Sequence, residues 1–182
     1  LLLELRDVHG NPVGGQWFAS TEDAERLTRK LGEPAFRIGS TVVQPDGADR
    51  KLSVLADEVA KPGNQLVTHR PGKRAVLRRT DQDGQTVSFT KVVRPERAGA
   101  LAQKGASAAD RLLGVALAPR LLSDERLADG VLEWSVVPGA TLHHLGSDQT
   151  WTSDQAASAW GMAGAALLAL HHSDPAGVEA WH

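Results

Sequence analysis

Three strand-forming segments follow one another between residues 64 and 93, and two short turns join them. The segments are 64–70, 74–80 and 85–93, with Pro71-Gly72-Lys73 in the first turn and Asp81-Gln82-Asp83-Gly84 in the second. Short turns of this composition connect antiparallel neighbours, and Gly84 suits the positive φ that the second turn requires. The sequence therefore predicts three adjacent antiparallel strands, with Lys91 near the end of the third.

Length and composition place the chain among globular proteins. Its 182 residues suit one ordinary domain or two small ones, and 41% of them are hydrophobic and 23% charged. The chain has no cysteine, which excludes disulfides and thiolate chemistry and agrees with a reducing cytoplasm. No apolar run is long enough to span a bilayer. We therefore expect a cytoplasmic protein, and the abundance of Ala, Gly, Asp and Arg is typical of a bacterial gene of high GC content.

Charge and chain start give two further expectations. The net charge of −2 argues against broad binding to nucleic acid. The five basic side chains near the first turn are expected to meet nucleotide phosphates or solvent instead: Arg70, Lys73, Arg74, Arg78 and Arg79. The first residue is Leu1 rather than Met, which indicates a partial sequence.

The local pattern predicts an α+β fold in three parts. Residues 1–64 form a small cap of three strands and two helices, with a strand over 37–44 and a second helix over 49–60. Residues 65–139 form a five-stranded antiparallel sheet with its helix. The last two strands lie at 118–122 and 130–137, and Gly99 and Gly105 divide the helical region 96–113 into two short helices. Residues 140–182 are helical.

Four segments in this order resemble the aminoglycoside phosphotransferase-like small-molecule kinases, which have a protein-kinase-like fold. The resemblance extends to the maltokinase-like members that carry an amino-terminal cap, and it covers most of residues 65–175. The segments are Val67-Thr-His-Arg-Pro-Gly-Lys-Arg-Ala-Val-Leu77, Thr90-Lys-Val-Val-Arg-Pro-Glu96, Val131-Leu-Glu-Trp-Ser-Val-Val-Pro-Gly139 followed by Leu142, and Ala163-Gly-Ala-Ala-Leu-Leu-Ala-Leu-His171. The resemblance implies a kinase-like amino-terminal lobe over 65–139 and the first helices of a carboxy-terminal lobe over 140–182.

The resemblance also implies roles for individual residues. Lys91 matches the lysine that contacts the nucleotide phosphates, and the turn containing Gly72 and Lys73 is expected to lie over them. Trp134 matches the residue that guards the back of the adenine pocket. Backbone groups at Ser135 and Val137 match the hinge positions that hydrogen-bond adenine.

The implied activity is transfer of the γ-phosphate of ATP, with Mg²⁺, to a hydroxyl of a sugar, an aminoglycoside or an amino alcohol. Kinases of this kind pair the phosphate-binding lysine with a carboxylate on the following helix. Glu96 lies early in that helix and Asp110 lies nearer the expected distance, so both remain candidates for the partner. The family's His-Gly-Asp catalytic run and its later metal-binding Asp are missing, since His9-Gly10 is followed by Asn11. We therefore expect no catalytic residue in this chain, Mg²⁺ ligands in a missing lobe, and an inactive fragment.

Two alternatives stay open. The chain could be a non-catalytic binding or regulatory module that keeps a kinase-like sheet, or an unrelated α+β domain with the same strand order. The paired histidines at 143–144 and 171–172 suggest zinc, but adjacent histidines on a helix point in different directions, so packing or capping is the preferred interpretation. Residues 81–84 resemble the start of a calcium loop, but no closing Glu follows, and a hairpin turn is expected.

Overall fold

The computed structural model describes residues 1–139 and 150–172, and these fall into two compact units. The first unit consists of Leu1–Gln103 and Leu121–Val136. The second contains Lys104–Arg120 and the described residues from Val137 onwards. The described fold is α+β, as the sequence predicts, with two antiparallel sheets in the first unit.

The first sheet has four strands rather than the three expected in the cap. Its order is β1-β2-β4-β3 and every pair is antiparallel. The strands are β1 (Leu2–Arg6), β2 (Pro12–Trp17), β3 (Phe36–Ile38) and β4 (Thr41–Gln44). The single strand predicted over 37–44 is wrong, because a turn at Gly39-Ser40 folds this segment back on itself and pairs Ile38 with Thr41.

Helix α1 (Thr21–Leu31) lies between β2 and β3 in the chain and begins at a side-chain cap. Oγ of Ser20 accepts hydrogen bonds from the backbone N–H groups of Glu22 (3.1 Å) and Asp23 (3.4 Å). This satisfies donors that an α-helix cannot satisfy internally. The predicted cap is confirmed, and it fixes where the helix starts.

The second sheet has five antiparallel strands in the order β5-β6-β7-β9-β8. The strands are β5 (Asn64–Arg70), β6 (Arg74–Thr80), β7 (Thr86–Val93), β8 (Leu121–Ser123) and β9 (Val131–Ser135). A 3-10 turn (Leu127–Asp129) lies between β8 and β9. The three consecutive strands predicted over 64–93 are confirmed, whereas the last two are shorter than predicted.

Side chains on opposite faces of this sheet pack into two separate cores. On one face, Ala75, Leu77 and Val92 pack against Leu52 and Leu55. On the other face, Val93 and Leu132 pack against Ala98 at the start of α3 (Pro95–Arg111), together with Leu101, Ala102, Leu121, Leu127 and Trp134. Strand side chains alternate between faces, so a residue's register position decides which core it joins.

Two helix predictions are wrong in their bounds. Helix α3 is continuous over 95–111 instead of dividing at Gly99 and Gly105, since burial of its apolar side offsets the weak helix propensity of glycine. Helix α2 (Leu55–Ala60) begins six residues later than the predicted Asp49. Its start is delayed because Oδ1 of Asp49 accepts the backbone N–H groups of Lys51 and Leu52, which holds that segment in a turn.

The second unit contains helix α4 (Ser153–His172). The capping box predicted at its start is confirmed: the N–H of Gln155 donates to Oγ1 of Thr152 (3.2 Å), and the N–H of Thr152 donates to Oε1 of Gln155 (2.9 Å). The predicted elements over 140–149 and 173–182 lie outside the described residues. Among the described helices, none combines the length and the apolar character needed to cross a membrane.

Candidate functional site

Lys91 lies on β7, the middle strand of the five-stranded sheet. It is directly opposite Val76 on β6 and Leu132 on β9, so the three side chains share one face. Arg74 lies opposite Val93, two residues further along β7, and therefore points to the same face. This face is the one that packs against α3, and we call its polar part, Lys91 with Arg74, the Lys91 face.

The ammonium group of Lys91 is in an unusual electrostatic setting. Partial burial lowers the pKa of Lys91, and the positive charge of Arg74 lowers it further. Within the described residues of the first unit, Lys91 forms no ion pair. Lys91 and Arg74 are thus two neighbouring cationic side chains, and no carboxylate neutralises Lys91 there. This arrangement favours binding of an anion.

The two acidic residues suggested as partners of Lys91 have different surroundings. Glu96 is exposed, and its Oε1 lies 3.3 Å from Nη1 of Arg94. Asp110 is exposed near the end of α3 and belongs to the second unit. Within the described residues of the first unit Glu96 is paired with Arg94 and not with Lys91, whereas a pair between Lys91 and Asp110 stays a prediction.

The suggested hinge residues lie at the end of β9 and just after it. Trp134 lies opposite Phe89 and packs into the core around Leu132, on the same face as Lys91. Ser135 is the last residue of β9 and lies opposite Ser88. The first compact unit ends one residue later, and Val137 is the first residue of the second unit in this segment.

The turn at Pro71-Gly72-Lys73 is held from the opposite side of the sheet. The N–H of Gly72 donates to Oδ2 of Asp49 over 2.6 Å, and the N–H of Lys73 donates to the carbonyl oxygen of Arg70 over 3.0 Å. Asp49 precedes Leu52, whose side chain packs on the face away from Lys91. These contacts join the turn to the segment around Asp49, and the expectation that Gly72 and Lys73 lie over the phosphates stays a prediction.

A buried pair that the sequence did not reveal connects β5 to the segment before α2. Nε2 of His69 lies 3.0 Å from Oδ2 of Asp49, and the two side chains are 0% and 3% exposed. Burial alone raises the pKa of Asp49, but hydrogen bonds from His69, Gly72 and Lys51 outweigh it and hold the pKa below its usual value. Asp49 is therefore ionised in the folded protein and fixes the turn at Gly72.

A groove of about 610 Å³ runs between α1 and this turn. We call it the basic groove. The polar residues of its lining are Gln16, Asp23, Arg26, Lys30, Gln44, Asp49, Arg50, Lys51 and Lys73. Its apolar residues are Leu2, Phe18, Leu27, Leu31 and Pro71, with Gly72 beside them.

A second groove of about 470 Å³ lies at the end of α2, and most of its charged side chains are paired with one another. Glu58 is 3% exposed, and its Oε1 lies 2.7 Å from Nζ of Lys61 and also bonds Nη1 of Arg126. Burial raises the pKa of Glu58, but Lys61 and Arg126 together hold it below its usual value. Glu133 accepts hydrogen bonds from Arg79 and Ser88 in the same groove. An ionic ligand would have to displace these pairs.

The remaining sequence motifs have structural roles or stay untested. Residues 81–84 form the predicted hairpin turn, in which Gly84 has a φ of +78° and donates its N–H to the carbonyl oxygen of Asp81. Within residues 1–139 and 150–172, no three His, Asp or Glu side chains are grouped as a metal site. His143 and His144 lie outside the described residues.

The chain matches no protein-family model, no curated protein and no solved structure.

Proposed function

We propose that the Lys91 face binds the phosphates of ATP, as part of a phosphotransferase that acts on a hydroxyl group of a small molecule. A sugar, an aminoglycoside and an amino alcohol are the acceptor classes. The observation that carries the proposal is a half-buried lysine beside Arg74, with no carboxylate bonded to it within the described residues of its unit.

Electrostatics favours a phosphate ligand at this face. Arg74 and partial burial both make the charged form of Lys91 less favourable. A phosphate group near the two cations would make the charged form of Lys91 favourable again. An opposite charge stabilises the ammonium group, and the attraction is stronger where water is partly excluded. A polyphosphate carries several negatively charged oxygens. It can therefore contact both cations more readily than a single carboxylate can.

The position of Lys91 in the sheet gives further support. In protein kinases the phosphate-binding lysine lies on the third strand of the amino-terminal lobe, and the next helix follows in the chain. Lys91 lies on the third of five antiparallel strands, and α3 follows it directly. The backbone of Ser135 and Val137 and the ring of Trp134 would bind the adenine in this proposal.

Lys91 and Arg74 would orient ATP rather than perform the chemistry. The γ-phosphate needs Mg²⁺ to neutralise developing charge and a group that orients the attacking hydroxyl. The proposal assigns neither role to a residue of this chain. ATP binding without turnover in any longer form of the protein would favour the alternative of a binding or regulatory module.

The test is calorimetric titration of the chain with ATP and Mg²⁺. Lys91→Met keeps the length of the side chain but removes its charge, and we expect at least about tenfold weaker binding, because a hydrogen bond to a charged group is worth about 1.5–3 kcal/mol. Arg29→Met is the matched control, since Arg29 is exposed on α1 and lines neither groove.

Two results would contradict the proposal. One is the absence of ATP binding by the unaltered chain. The other is equal ATP affinity in Lys91→Met and Arg29→Met. Measuring ATP consumption over a panel of sugars, aminoglycosides and amino alcohols then separates the kinase from the binding module.

A further inference from the structure

The basic groove carries an excess of positive charge that the proposed ATP site does not use. Five cationic and two acidic side chains line it, a balance of three positive charges, whereas the whole chain has a net charge of −2. Asp23 is already paired with Arg26 on the same helix. Lys30, Arg50, Lys51 and Lys73 form no ion pair within residues 1–139 and 150–172.

The second acidic residue of the groove, Asp49, is occupied by internal hydrogen bonds. One of its oxygens accepts the N–H of Lys51 (2.8 Å) and the N–H of Leu52 (3.3 Å). The other accepts the N–H of Gly72 (2.6 Å) and lies 3.0 Å from Nε2 of His69. Its charge is therefore turned toward the protein, and the four unpaired cations are left without a neutralising partner.

The same carboxylate places two of the cations side by side. By bonding the backbone of both Lys51 and Gly72, Asp49 fixes the segment of Lys51 against the turn that ends in Lys73. A Cβ placed on Gly72 would lie 3.3 Å from Cδ of Lys51, so the absence of a side chain lets the lysine stem run along the turn. His69 and Asp49 are buried, so this arrangement exists before any ligand arrives.

The apolar part of the lining limits the kind of anion that fits. Phe18, Leu27 and Leu31 are partly buried side chains of the groove, and Pro71 is buried beside them. Mixed linings of apolar side chains and a few charged groups, with volumes of about 300–1,000 Å³, are typical of small-molecule sites. A ligand that joins a multiply charged phosphate to a ring or hydrocarbon part matches both halves of this lining.

We propose that the basic groove is a binding site for a small phosphate ester, separate from the Lys91 face. The phosphate contacts Lys51 and Lys73, and the organic part packs against Phe18, Leu27 and Leu31. The turn at 71–73 leads directly into β6, whose first residue, Arg74, acts on Lys91. A ligand in the groove thereby touches the segment that precedes the proposed ATP site.

The experiment titrates the chain with inorganic phosphate, phenyl phosphate and phenol by calorimetry. We expect saturable binding of phenyl phosphate, weaker binding of inorganic phosphate, and no binding of phenol. The double variant Lys51→Met/Lys73→Met is expected to bind phenyl phosphate at least about tenfold more weakly. Both side chains are exposed, and an unchanged circular dichroism spectrum verifies that the variant is folded.

Matched variants separate this site from the proposed ATP site. Lys91→Met and Arg29→Met should bind phenyl phosphate as the unaltered chain does, and Lys51→Arg/Lys73→Arg should restore most of the affinity. The proposal is overturned if neither phosphate binds, if the double Met variant keeps its affinity, or if Lys91→Met loses it. Tight binding of an RNA oligomer in place of both small phosphates would also overturn it. The proposed ATP site is tested by the ATP titration, whichever of these results is obtained.

Discussion

At the scale of single residues, Asp49 holds several segments of the first unit together. Its carboxylate accepts hydrogen bonds from the backbone of Lys51, Leu52 and Gly72 and from the ring of His69. It thereby joins the turn before α2 to the end of β5 and to the turn that follows. A buried carboxylate with this many donors is stable only while it is ionised.

The direction of its pKa shift predicts how stability depends on pH. The pKa of Asp49 is lower in the folded chain than in the unfolded chain, so the resulting stabilisation is fully present above the unfolded pKa and is lost as the pH falls through the folded pKa. Asp49→Asn should lower the free energy of unfolding at pH 7 by about 2 kcal/mol and flatten its decline in acid. Urea denaturation at a series of pH values measures both effects.

Asp57→Asn is the control for this prediction, because Asp57 is exposed on α2 and the change leaves Asp49 with all its hydrogen bonds. The control should retain the acid dependence of the unaltered chain. If Asp49→Asn and Asp57→Asn had the same stability at pH 7, the role given to Asp49 would be wrong.

At the scale of elements, local signals predicted some boundaries and long-range contacts decided others. The hairpin turn at Gly84 and the caps at Ser20 and Thr152 depend on residues within a few positions of one another, and the sequence predicted all three. The late start of α2 depends on Asp49, whose Oδ1 bonds the nearby N–H groups of Lys51 and Leu52 while its Oδ2 is held by His69, 20 residues away in the chain. The local bonds are compatible with a helix cap as well as with a turn, and the contact with His69 is one that no local pattern contains.

The same distinction applies to the candidate sites. Strand alternation is enough to place Lys91 and Arg74 on one face once the register is known. The lining of the basic groove comes from the first sheet, α1 and the turn at 71–73, segments that only the tertiary fold brings together. The sequence therefore pointed to Lys73 but not to Lys51 or Lys30.

Helix α3 gives a test of why two glycines do not break it. A Cβ on Gly99 would meet no atom within 4 Å, and the position is helical and exposed. Gly99→Ala should therefore raise the free energy of unfolding by about 0.5–1 kcal/mol through helix propensity alone. Urea denaturation measures the change.

Gly84→Ala is the matched comparison, because that position is equally open but has a φ of +78°. The left-handed backbone makes the same substitution destabilising there, by about 1–2 kcal/mol. Changes of the same sign at the two positions would contradict the explanation.

At the scale of the whole molecule, the segment that joins the two sheets of the first unit packs into the core of the second sheet. Leu52 and Leu55 follow the first sheet in the chain, yet they form the core beneath the second sheet with Ala75, Leu77 and Val92. Strands β1 and β2 of the first sheet also contact β5 of the second sheet. The cap is therefore expected to unfold together with the five-stranded sheet.

Amide hydrogen exchange checks this expectation. The slowest-exchanging amides of β2 and β7 should open with equal free energies, because both require the same global unfolding. Addition of urea should reduce the two free energies in parallel. A β2 that opened at clearly lower free energy than β7 would mean that the cap unfolds independently.

The contact between β2 and β5 has a consequence for the evolution of any relatives of this chain. A Cβ on Gly14 would lie 2.4 Å from Nδ1 of His69, far closer than such atoms approach one another. A lineage that gains a side chain at position 14 must therefore replace the imidazole, and Asp49 then loses one of its partners. Positions 14, 49 and 69 are expected to change as a set, so their joint variation is a signature by which distant relatives can be recognised.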